Sequence, residues 1–379
     1  MRILQVTNFI SHLQTPLAQK LVSIIGAKNF RLATLHTLDS DRINLGWSDK
    51  NDESWIIRVK ENKSKQSEFK NWWNEADVII CGEREFEGML DRTKNKKLCF
   101  YFSERWWKPP IGMARLFSPY FFKMVIKFRR LTQNSNFHYL PIGPYASSDI
   151  DILFNLNERK WRWGYFNKNF FPLPKLSYKR SEIIKVLWVG RMLKWKRVDT
   201  LINAIADLSK KGLDVKLSLI GDGPEKINLQ KLAAQLLSLN QCSFIDPMDP
   251  CKIPSEMQKN NIYVLSSSAC EGWGFVINEA MSSGCAIVAS KSAGAAAAMI
   301  VNDVNGLLFE SGNWRELSSQ LMRLIKNKEL RYKLIKNALI TINGKWSSEC
   351  AAKRFVLVAD ALLNHKKIPF YEDGPMSRP

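Results

Sequence analysis

Two carboxylates at a fixed spacing, Glu271 and Glu279, give the strongest chemical signal in the sequence. They flank a glycine-containing turn that follows a strand predicted over residues 262–266, and a predicted helix begins near Phe275. Gly274 and the glycine two positions before it let backbone N–H groups approach a ligand, and the helix would direct its free N–H groups at a phosphate. Glu279 lies about one turn into this helix, within reach of a sugar hydroxyl. The segment therefore predicts a site for a phosphate and a sugar; a turn with two solvated carboxylates is the alternative.

A second candidate for phosphate binding follows a strand predicted over residues 186–189. Gly190 ends this strand, and Arg191 and Lys196 come before a helix predicted over residues 198–210. Parallel α/β sheets bind ligands at the carboxyl ends of their strands, and helix N-termini favour anions. Arg191 and Lys196 are therefore candidates to hold a phosphate, although solvated basic residues after a strand would give the same pattern.

Two further glycines, Gly221 and Gly223, follow a strand predicted over residues 215–220. They allow a tight turn, and the next residue, Pro224, suits the first turn of a helix. A turn that lines a binding pocket and a turn that touches no ligand explain this pattern equally well.

The elements that must position these residues repeat along the chain, because short apolar runs alternate with helical patterns. This alternation predicts an α/β fold of two doubly wound domains, each with a parallel sheet. The first series begins with a strand predicted over residues 2–6 and a helix over residues 13–25. Further strands are predicted over residues 30–34, 78–81 and 98–102. The second series begins at Lys185 and adds helices over residues 224–239, 275–282 and 314–327 and a strand over 286–289.

Taken together, the segments from about Lys185 to Asn327 resemble the donor domain of retaining glycosyltransferases of family 4. These enzymes have the GT-B fold, in which two Rossmann-like domains face each other across a cleft. The three motifs match the family in order and spacing, and residues 284–290 with Gly294 resemble the strand and glycine turn that follow them. Membership in this family would explain all four segments at once.

The resemblance implies a role for each residue of the donor site. Arg191 and Lys196 would bind the diphosphate of an activated sugar, Glu279 the ribose hydroxyls and Glu271 the hydroxyls of the sugar ring. The backbone would supply the other donor contacts, at Gly190, Gly221, Gly223, Gly274, Phe275 and Val276. Glu271, Arg191 and Lys196 are the candidate catalytic residues.

The reaction implied is the transfer of a sugar from a nucleotide diphosphate to an acceptor hydroxyl, with retention of the anomeric configuration. The expected acceptor is a lipid-linked glycan or a lipopolysaccharide or capsule intermediate, and a UDP-sugar is favoured over a GDP-sugar as donor. Fixed cations and the helix end would neutralise the leaving group, so we expect neither a metal ion nor a cofactor. The triplets that begin at Asp39 and Asp149 lie outside this domain and are predicted to be surface carboxylates.

The resemblance also divides the chain into parts. Residues 1–180 are expected to form an acceptor-binding Rossmann-like domain and residues 181–345 the donor-binding domain, with a linker over 170–181. Residues 346–365 predict a helix that returns to the N-terminal domain. Residues 366–379, which contain three prolines and mixed charge, predict a loose tail.

The N-terminal half gives weaker signals on the acceptor side. Residues 7–12 form the first strand-to-helix turn, where many family members have a glycine pair and this chain has none. His12 in that turn could face the cleft or pack on the helix, and the sequence does not distinguish the two. Ser103, Glu104 and Arg105 follow another strand and resemble a segment of bacterial polysaccharide enzymes, so they are candidate acceptor-side residues. An exposed ion pair of Glu104 and Arg105 is the alternative.

The chain is strongly basic, since 56 Lys and Arg residues against 36 Asp and Glu residues give a net charge of +20. Residues 101–180 contain 14 basic and 4 acidic residues. A helix predicted over residues 117–130 would place Lys123, Lys127 and Arg130 on one stripe. A second, apolar stripe would contain Phe117, Phe121, Val125 and Phe128. Such a helix suits an anionic membrane surface, although a helix with its apolar face in the core predicts the same pattern.

The composition narrows the classes of function. With 45% hydrophobic and 24% charged residues the chain is globular, and no apolar run is long enough to span a bilayer. No signal peptide is recognised and seven scattered cysteines predict free thiols, so we expect a cytoplasmic protein, peripheral on the cytoplasmic face of the inner membrane. The rival interpretations are a nucleic-acid-binding protein, suggested by the charge and 13 tryptophans, and a non-catalytic scaffold on a GT-B fold. The paired glutamates argue against nucleic acid as a partner, because carboxylates repel its backbone.

Overall fold

The computed structural model describes residues 1–44, 47, 49, 51–168 and 183–379. The described residues form two compact units, of which the first comprises residues 1–43, 49, 51–168 and 345–379 and the second residues 44, 47 and 183–344. The predicted linker at residues 170–181, and with it the predicted domain boundary, lies outside the described residues.

A six-stranded parallel sheet forms the centre of the first unit. Its strands are β1 (Ile3–Thr7), β2 (Phe30–Thr34), β3 (Ile56–Arg58), β4 (Val78–Cys81), β5 (Leu98–Ser103) and β6 (Phe137–Pro141). Their order across the sheet is β3-β2-β1-β4-β5-β6. The chain therefore builds outward from β1 to one edge and from β4 to the other. The point where the order reverses, between β1 and β4, is where open α/β sheets bind ligands, beyond the carboxyl ends of the strands.

The helices of the first half begin where the sequence offers helix starts. They are α1 (Thr15–Ile25), α2 (Ser40–Asn44), α3 (Lys63–Glu75), α4 (Phe86–Lys94), α5 (Pro119–Thr132) and α6 (Pro144–Asp151). The side chain of Asn62 accepts a hydrogen bond of 2.9 Å from the Lys65 N–H at the start of α3. Ser118 caps α5, and Pro119 occupies its first position, where a missing N–H costs nothing.

The second unit repeats the architecture with a second six-stranded parallel sheet. Its strands are β7 (Ile184–Val189), β8 (Val215–Ile220), β9 (Cys242–Ile245), β10 (Ile262–Leu265), β11 (Ala286–Ser290) and β12 (Leu307–Phe309). Its helices are α7 (Val198–Lys210), α8 (Lys226–Leu236), α9 (Ile253–Gln258), α10 (Val276–Ser282), α11 (Gly294–Met299), α12 (Trp314–Lys326) and α13 (Lys328–Asn343). The sheet order is β12-β11-β10-β7-β8-β9, with the reversal between β7 and β10. The prediction of two doubly wound α/β domains is confirmed.

The last helix, α14 (Ser348–Leu363), packs against α1 in the first unit. Phe355 on α14 is fully buried, and its ring lies 4.8 Å from that of Phe100 on β5. The loose tail predicted after this helix is wrong for the final residues. Met376 and Ser377 are each 1% exposed, and the Met376 N–H donates a 2.9 Å hydrogen bond to the carbonyl of Arg162. Apolar burial and backbone pairing hold this segment in place.

Candidate functional site

Glycines allow two turns of the second unit, each at the end of a strand, to pack closely against each other. Gly221, after β8, has φ +136°, and a Cβ atom there would lie 2.0 Å from the carbonyl oxygen of Gly190, after β7. A Cβ on Gly223 would lie 2.6 Å from the carbonyl oxygen of Met192. The Met192 N–H also donates a 2.7 Å hydrogen bond to the Asp222 carbonyl. The packing of the two turns therefore accounts for Gly221 and Gly223 without a ligand.

A buried ion pair joins two of the candidate catalytic residues. Lys196 Nζ lies 2.5 Å from Glu271 Oε2, and the two side chains are 14% and 11% exposed. Ser267 donates a 2.8 Å hydrogen bond to the same carboxylate oxygen. The ammonium group also lies 4.5 Å from the centre of the Trp195 ring. Lys196 and Glu271 therefore neutralise each other, largely out of contact with water.

The backbone around this pair is tied together across the two turns. Ser266 Oγ donates a 2.7 Å hydrogen bond to the carbonyl of Lys196. The Ser268 N–H donates a 2.8 Å hydrogen bond to the carbonyl of Trp195. Arg197, the next residue, has φ +52° and turns the chain into α7. These bonds hold Lys196 at a fixed position beside the segment that follows β10.

The turn that carries Glu271 is fixed by a buried tryptophan. Trp273 is 1% exposed, and its indole N–H donates a 2.9 Å hydrogen bond to the side chain of Asn278 on α10. Its carbonyl accepts a 2.8 Å hydrogen bond from the N–H of Ala295 on α11. Gly274 has φ +86°, a left-handed conformation that favours glycine. The predicted glycine turn is thus present, and the hydrogen bonds of Trp273 to α10 and α11 fix its conformation.

Glu279 is a buried carboxyl group on α10. It is 6% exposed, and among the described residues we find no hydrogen-bond partner for its side chain. Burial raises the pKa of Glu279 to about 8. A buried carboxyl group without a partner is costly, and hydroxyl groups of a ligand could satisfy it.

The structure brings together only some of the predicted donor-site residues. Lys196 and Glu271 are in contact, and Phe275 and Val276 lie at the start of α10, which also carries Glu279. Arg191 is exposed on the turn after β7. In the described ranges, no group of three or more His, Cys, Asp or Glu side chains is arranged to hold a metal ion.

A cavity of 390 Å³ lies at the carboxyl edge of the first sheet. It is lined by residues that follow three neighbouring strands, residues 7–8 after β1, 82–84 after β4 and 103–106 at the end of β5. The predicted acceptor-side residues Ser103, Glu104 and Arg105 are among them. His12, half-buried in the turn before α1, is not part of the lining, so the structure does not bring it together with the other three.

Arg105 does not pair with its neighbour Glu104 but with Asp149. Asp149 is 5% exposed and accepts hydrogen bonds from Arg105 Nη2 at 3.1 Å and from the Trp107 N–H at 3.0 Å. The prediction that the triplet at residues 149–151 consists of surface carboxylates is therefore wrong at Asp149. The hydrogen bonds from these donors offset the cost of burying its charge. In the other triplet, Asp39 pairs with Arg42 at the surface, while the side chain of Asp41 lies outside the described residues.

Glu104 is held by two other groups of the cavity wall. Its carboxylate lies 2.5 Å from Lys108 Nζ and accepts a 3.4 Å hydrogen bond from the Tyr165 hydroxyl. Burial raises the pKa of Tyr165 well above its ordinary value, and the nearby Glu104 charge adds to this shift. The Tyr165 hydroxyl therefore stays protonated and acts as a donor to Glu104.

Comparison with known proteins identifies the second unit. Residues 175–340 match the family model described as glycosyl transferases group 1. This match, here called the group 1 region, covers less than half of the chain. The group 1 region contains every residue of the predicted donor site, from Gly190 to Glu279.

Two curated relatives match about half of the chain. An uncharacterised glycosyltransferase of Methanocaldococcus jannaschii is 31% identical over 194 residues, which cover 50% of this chain and 48% of the relative. The lipopolysaccharide core biosynthesis glycosyltransferase LpsE of Rhizobium meliloti is 29% identical over 171 residues, 45% of this chain and 48% of the relative. The chain thus spans about half the length of these curated relatives.

Solved structures resemble both units. The Anabaena protein HepE in complex with UDP has a TM-score of 0.70 at 17% identity, covering 94% of this chain and 98% of that chain. Its complex with UDP-glucose has a TM-score of 0.65 at 16% identity, covering 94% and 99%. At this identity the likeness shows the fold, which is of the GT-B type, as predicted.

Outside the group 1 region, α5 exposes apolar side chains that the sequence did not single out. Phe121 and Phe128 of the predicted apolar stripe are buried in the core. Phe122 and Ile126 are instead 53% and 42% exposed, beside exposed Lys123 and Arg130. The third predicted cation, Lys127, lies 2.6 Å from Glu87 on α4. Within the described part of the chain, none of the helices has the length and hydrophobicity to span a bilayer.

Sequence reasoning missed several residues of both sites. Ser267 in the group 1 region holds Glu271 through a hydrogen bond four residues along the chain, and Asp149 in the first unit holds Arg105 through a contact distant in sequence. Arg84 and Arg115 line the cavity of the first unit. Arg115 belongs to the excess of basic residues between 101 and 180, and Arg84 has no signal in the sequence.

Proposed function

We propose that the chain is a retaining glycosyltransferase that moves a sugar from a nucleotide diphosphate to a hydroxyl group of a glycan acceptor. The observation that carries this proposal is the contact of Lys196 with Glu271, in the turn that leads into the helix α10 with its buried and unpartnered Glu279, inside the group 1 region. A cation for phosphate and two carboxylates for hydroxyls are the groups that a nucleotide sugar requires. UDP and UDP-glucose bound to the structural relative HepE favour a UDP-sugar as donor.

Each residue of the donor site has a proposed task. Lys196 and Arg191 bind the diphosphate, and Glu279 accepts hydrogen bonds from the ribose hydroxyls. Glu271 accepts hydrogen bonds from the transferred sugar once Lys196 has turned to phosphate. The backbone at Phe275 and Val276 completes the phosphate contacts.

The chemical step breaks the bond between the anomeric carbon and the phosphate oxygen and forms a bond from that carbon to the acceptor oxygen. The acceptor hydroxyl gives its proton to the departing phosphate oxygen on the same face of the sugar, so the configuration is retained. Negative charge develops on the leaving diphosphate, where Lys196 and Arg191 stabilise it. With these fixed cations the reaction proceeds without a divalent metal ion.

The first unit is proposed to receive the acceptor in the cavity beside Ser103 and Arg105. LpsE, which is similar to somewhat less than half of this chain, is named for lipopolysaccharide core biosynthesis. A lipid-linked glycan or a lipopolysaccharide or capsule intermediate is therefore the proposed acceptor. Exposed Phe122 and Ile126 beside Lys123 and Arg130 support peripheral binding of α5 to an anionic membrane on its cytoplasmic face.

Release of UDP from a panel of UDP-sugars, measured with and without a glycan acceptor, tests the proposal. Lys196→Ala should abolish release, because it removes the charge on the leaving group. Lys194→Ala is the matched control, since Lys194 is an exposed lysine of the same short helix (Lys194–Lys196) and should leave turnover unchanged. Nucleotide binding without any donor consumption by the parent chain would contradict an enzyme and favour a non-catalytic scaffold.

A further inference from the structure

We propose that the cavity of the first unit binds an acceptor sugar that carries an oxyanion, either a phosphate or a carboxylate. This inference rests on the proposed function, because it names the class of acceptor for the same reaction. The cavity has a volume of 390 Å³, at the small end of the range of about 300–1,000 Å³ for ligand sites. One charged sugar residue fits such a cavity better than a long glycan segment.

The cavity stands at the point of the first sheet where a ligand is expected. Thr7 and Asn8 follow β1, and Glu83 and Arg84 follow β4, so the cavity lies beyond the carboxyl ends of the two strands between which the order reverses. Such a crevice is the general ligand site of open α/β sheets. Gly82 keeps the floor of the crevice open, because a Cβ atom there would lie 2.3 Å from the ring of Phe102.

The charges of the cavity wall are unequal. Four cations line it, Arg84, Arg105, Lys108 and Arg115, against two carboxylates, Glu83 and Glu104. Lys108 and Glu104 neutralise each other, and the buried Asp149 behind the wall neutralises Arg105. Burial raises the pKa of Glu83 above its ordinary value.

Two guanidinium groups remain for a ligand. In the described part of the chain, neither Arg84 nor Arg115 has a carboxylate partner, and Arg84 is exposed. Arg115 is half-buried and donates one hydrogen bond, from Nη1 to the carbonyl of Trp106 at 3.1 Å. The other N–H groups of the two guanidinium forks can bind an oxyanion with two oxygens in one plane, the geometry shared by phosphate and carboxylate.

Calorimetric titration of the full chain tests this inference with four probes: glucose, glucuronic acid, glucose 6-phosphate and inorganic phosphate. We expect at least one charged sugar to bind ten times or more tighter than glucose, and at least ten times tighter than inorganic phosphate. The preferred probe distinguishes carboxylate from phosphate. Arg84→Gln and Arg115→Gln should each weaken that probe about tenfold, or about 1.4 kcal/mol. Arg129→Gln, an exposed arginine of α5 outside the lining, should have no effect.

Equal binding of charged and neutral sugars, no binding of any sugar, or equal losses in all three variants would overturn the inference. Inorganic phosphate that binds as tightly as the phosphorylated sugar would also overturn it, since the cavity would then be a plain anion site. UDP binding, measured in the same preparations, distinguishes a failure of the inferred acceptor class from a failure of the proposed function. Loss of charge preference with intact UDP binding contradicts only the acceptor class, whereas absence of UDP binding contradicts the proposed function.

Discussion

The ammonium nitrogen of Lys196 lies 2.5 Å from a carboxylate oxygen of Glu271, and both side chains are buried. In the proposed reaction these two residues serve different parts of the donor, the diphosphate and the sugar. A bound donor must therefore compete with the ion pair for Lys196. The pair keeps each charge satisfied until a diphosphate supplies a second partner for the ammonium group.

The two glutamates should respond differently to loss of charge. Glu271→Gln frees Lys196 for phosphate, so binding of bare UDP should be unchanged or tighter, while turnover of the UDP-sugar falls. At pH 9, where Glu279 is ionised, Glu279→Gln should weaken UDP binding by about tenfold or more, because a hydrogen bond between a charged group and a ribose hydroxyl contributes roughly 1.5–3 kcal/mol. Calorimetry with UDP measures both variants. Equal losses of UDP affinity in the two variants would contradict the proposed division of roles.

The pH dependence of UDP binding should follow Glu279. Its pKa in the folded protein is about 8, so the carboxyl is mostly protonated at pH 7 and ionised above pH 8. The ionised form is the better acceptor for ribose hydroxyls, and UDP affinity should rise between pH 7 and pH 9. Glu279→Gln should remove this rise. A parent profile that is flat over this range would contradict the assignment of Glu279 to ribose.

The same group should make the free protein less stable at high pH. Because the pKa of Glu279 is raised from 4.5 to about 8 on folding, the protonated form is favoured in the folded state. Its contribution is fully present below pH 4.5 and is lost as the pH rises through 8. Urea unfolding from pH 6 to pH 9 should show this loss in the parent and a smaller one in Glu279→Gln.

The stereochemistry and the metal requirement can be tested in one reaction mixture. NMR of the product should show the anomeric configuration of the donor, since acceptor and leaving group occupy the same face of the sugar. Turnover should persist in excess EDTA, because Lys196 and Arg191 stabilise the leaving diphosphate. An inverted product would contradict the retaining mechanism. Loss of turnover in EDTA, restored by a divalent ion, would contradict only the metal part.

Binding to membranes should be peripheral and sensitive to salt. Lys123→Gln, Lys127→Gln and Arg130→Gln together should weaken binding to anionic liposomes by up to about 3 kcal/mol, at about 1 kcal/mol for each charge. Lys127 already pairs with Glu87, so its share should be the smallest. Three exposed lysines elsewhere in the first unit, Lys63, Lys70 and Lys94, provide a matched triple control. Equally strong co-sedimentation of the two triple variants would show that α5 is an ordinary helix of the first unit and does not bind the membrane.

Stability measurements should distinguish the buried Asp149 from the exposed Asp39, the first residues of the two Asp-x-Asp triplets. Asp149→Ala leaves the Arg105 guanidinium partly buried without its partner and should lower the free energy of unfolding by about 3–5 kcal/mol. Asp39→Ala removes an exposed pair and should change it by less than about 1 kcal/mol. Denaturant titration of both variants gives the comparison. A small effect at Asp149 would contradict the structural role assigned to it.

The sequence predicts the second unit better than the first, for a physical reason. The turns after β7, β8 and β10 are local, so glycine, charge and strand endings lie next to each other in the sequence. The sequence does not predict β3 and β12, because three residues carry too little periodicity. The burial of Asp149 and the ion pair of Lys196 with Glu271 depend on tertiary packing, which no local pattern contains.

The packing of α14 on α1 has a consequence for synthesis on the ribosome. The second unit is complete once the chain has emerged up to residue 344, because its described residues are 44, 47 and the stretch 183–344. The first unit begins earlier, but its helix α1 lacks its neighbour until residues 348–363 have been translated. The unit that starts second is therefore the first to finish folding, and the nascent chain must keep the apolar side of α1 covered or protected in the interval.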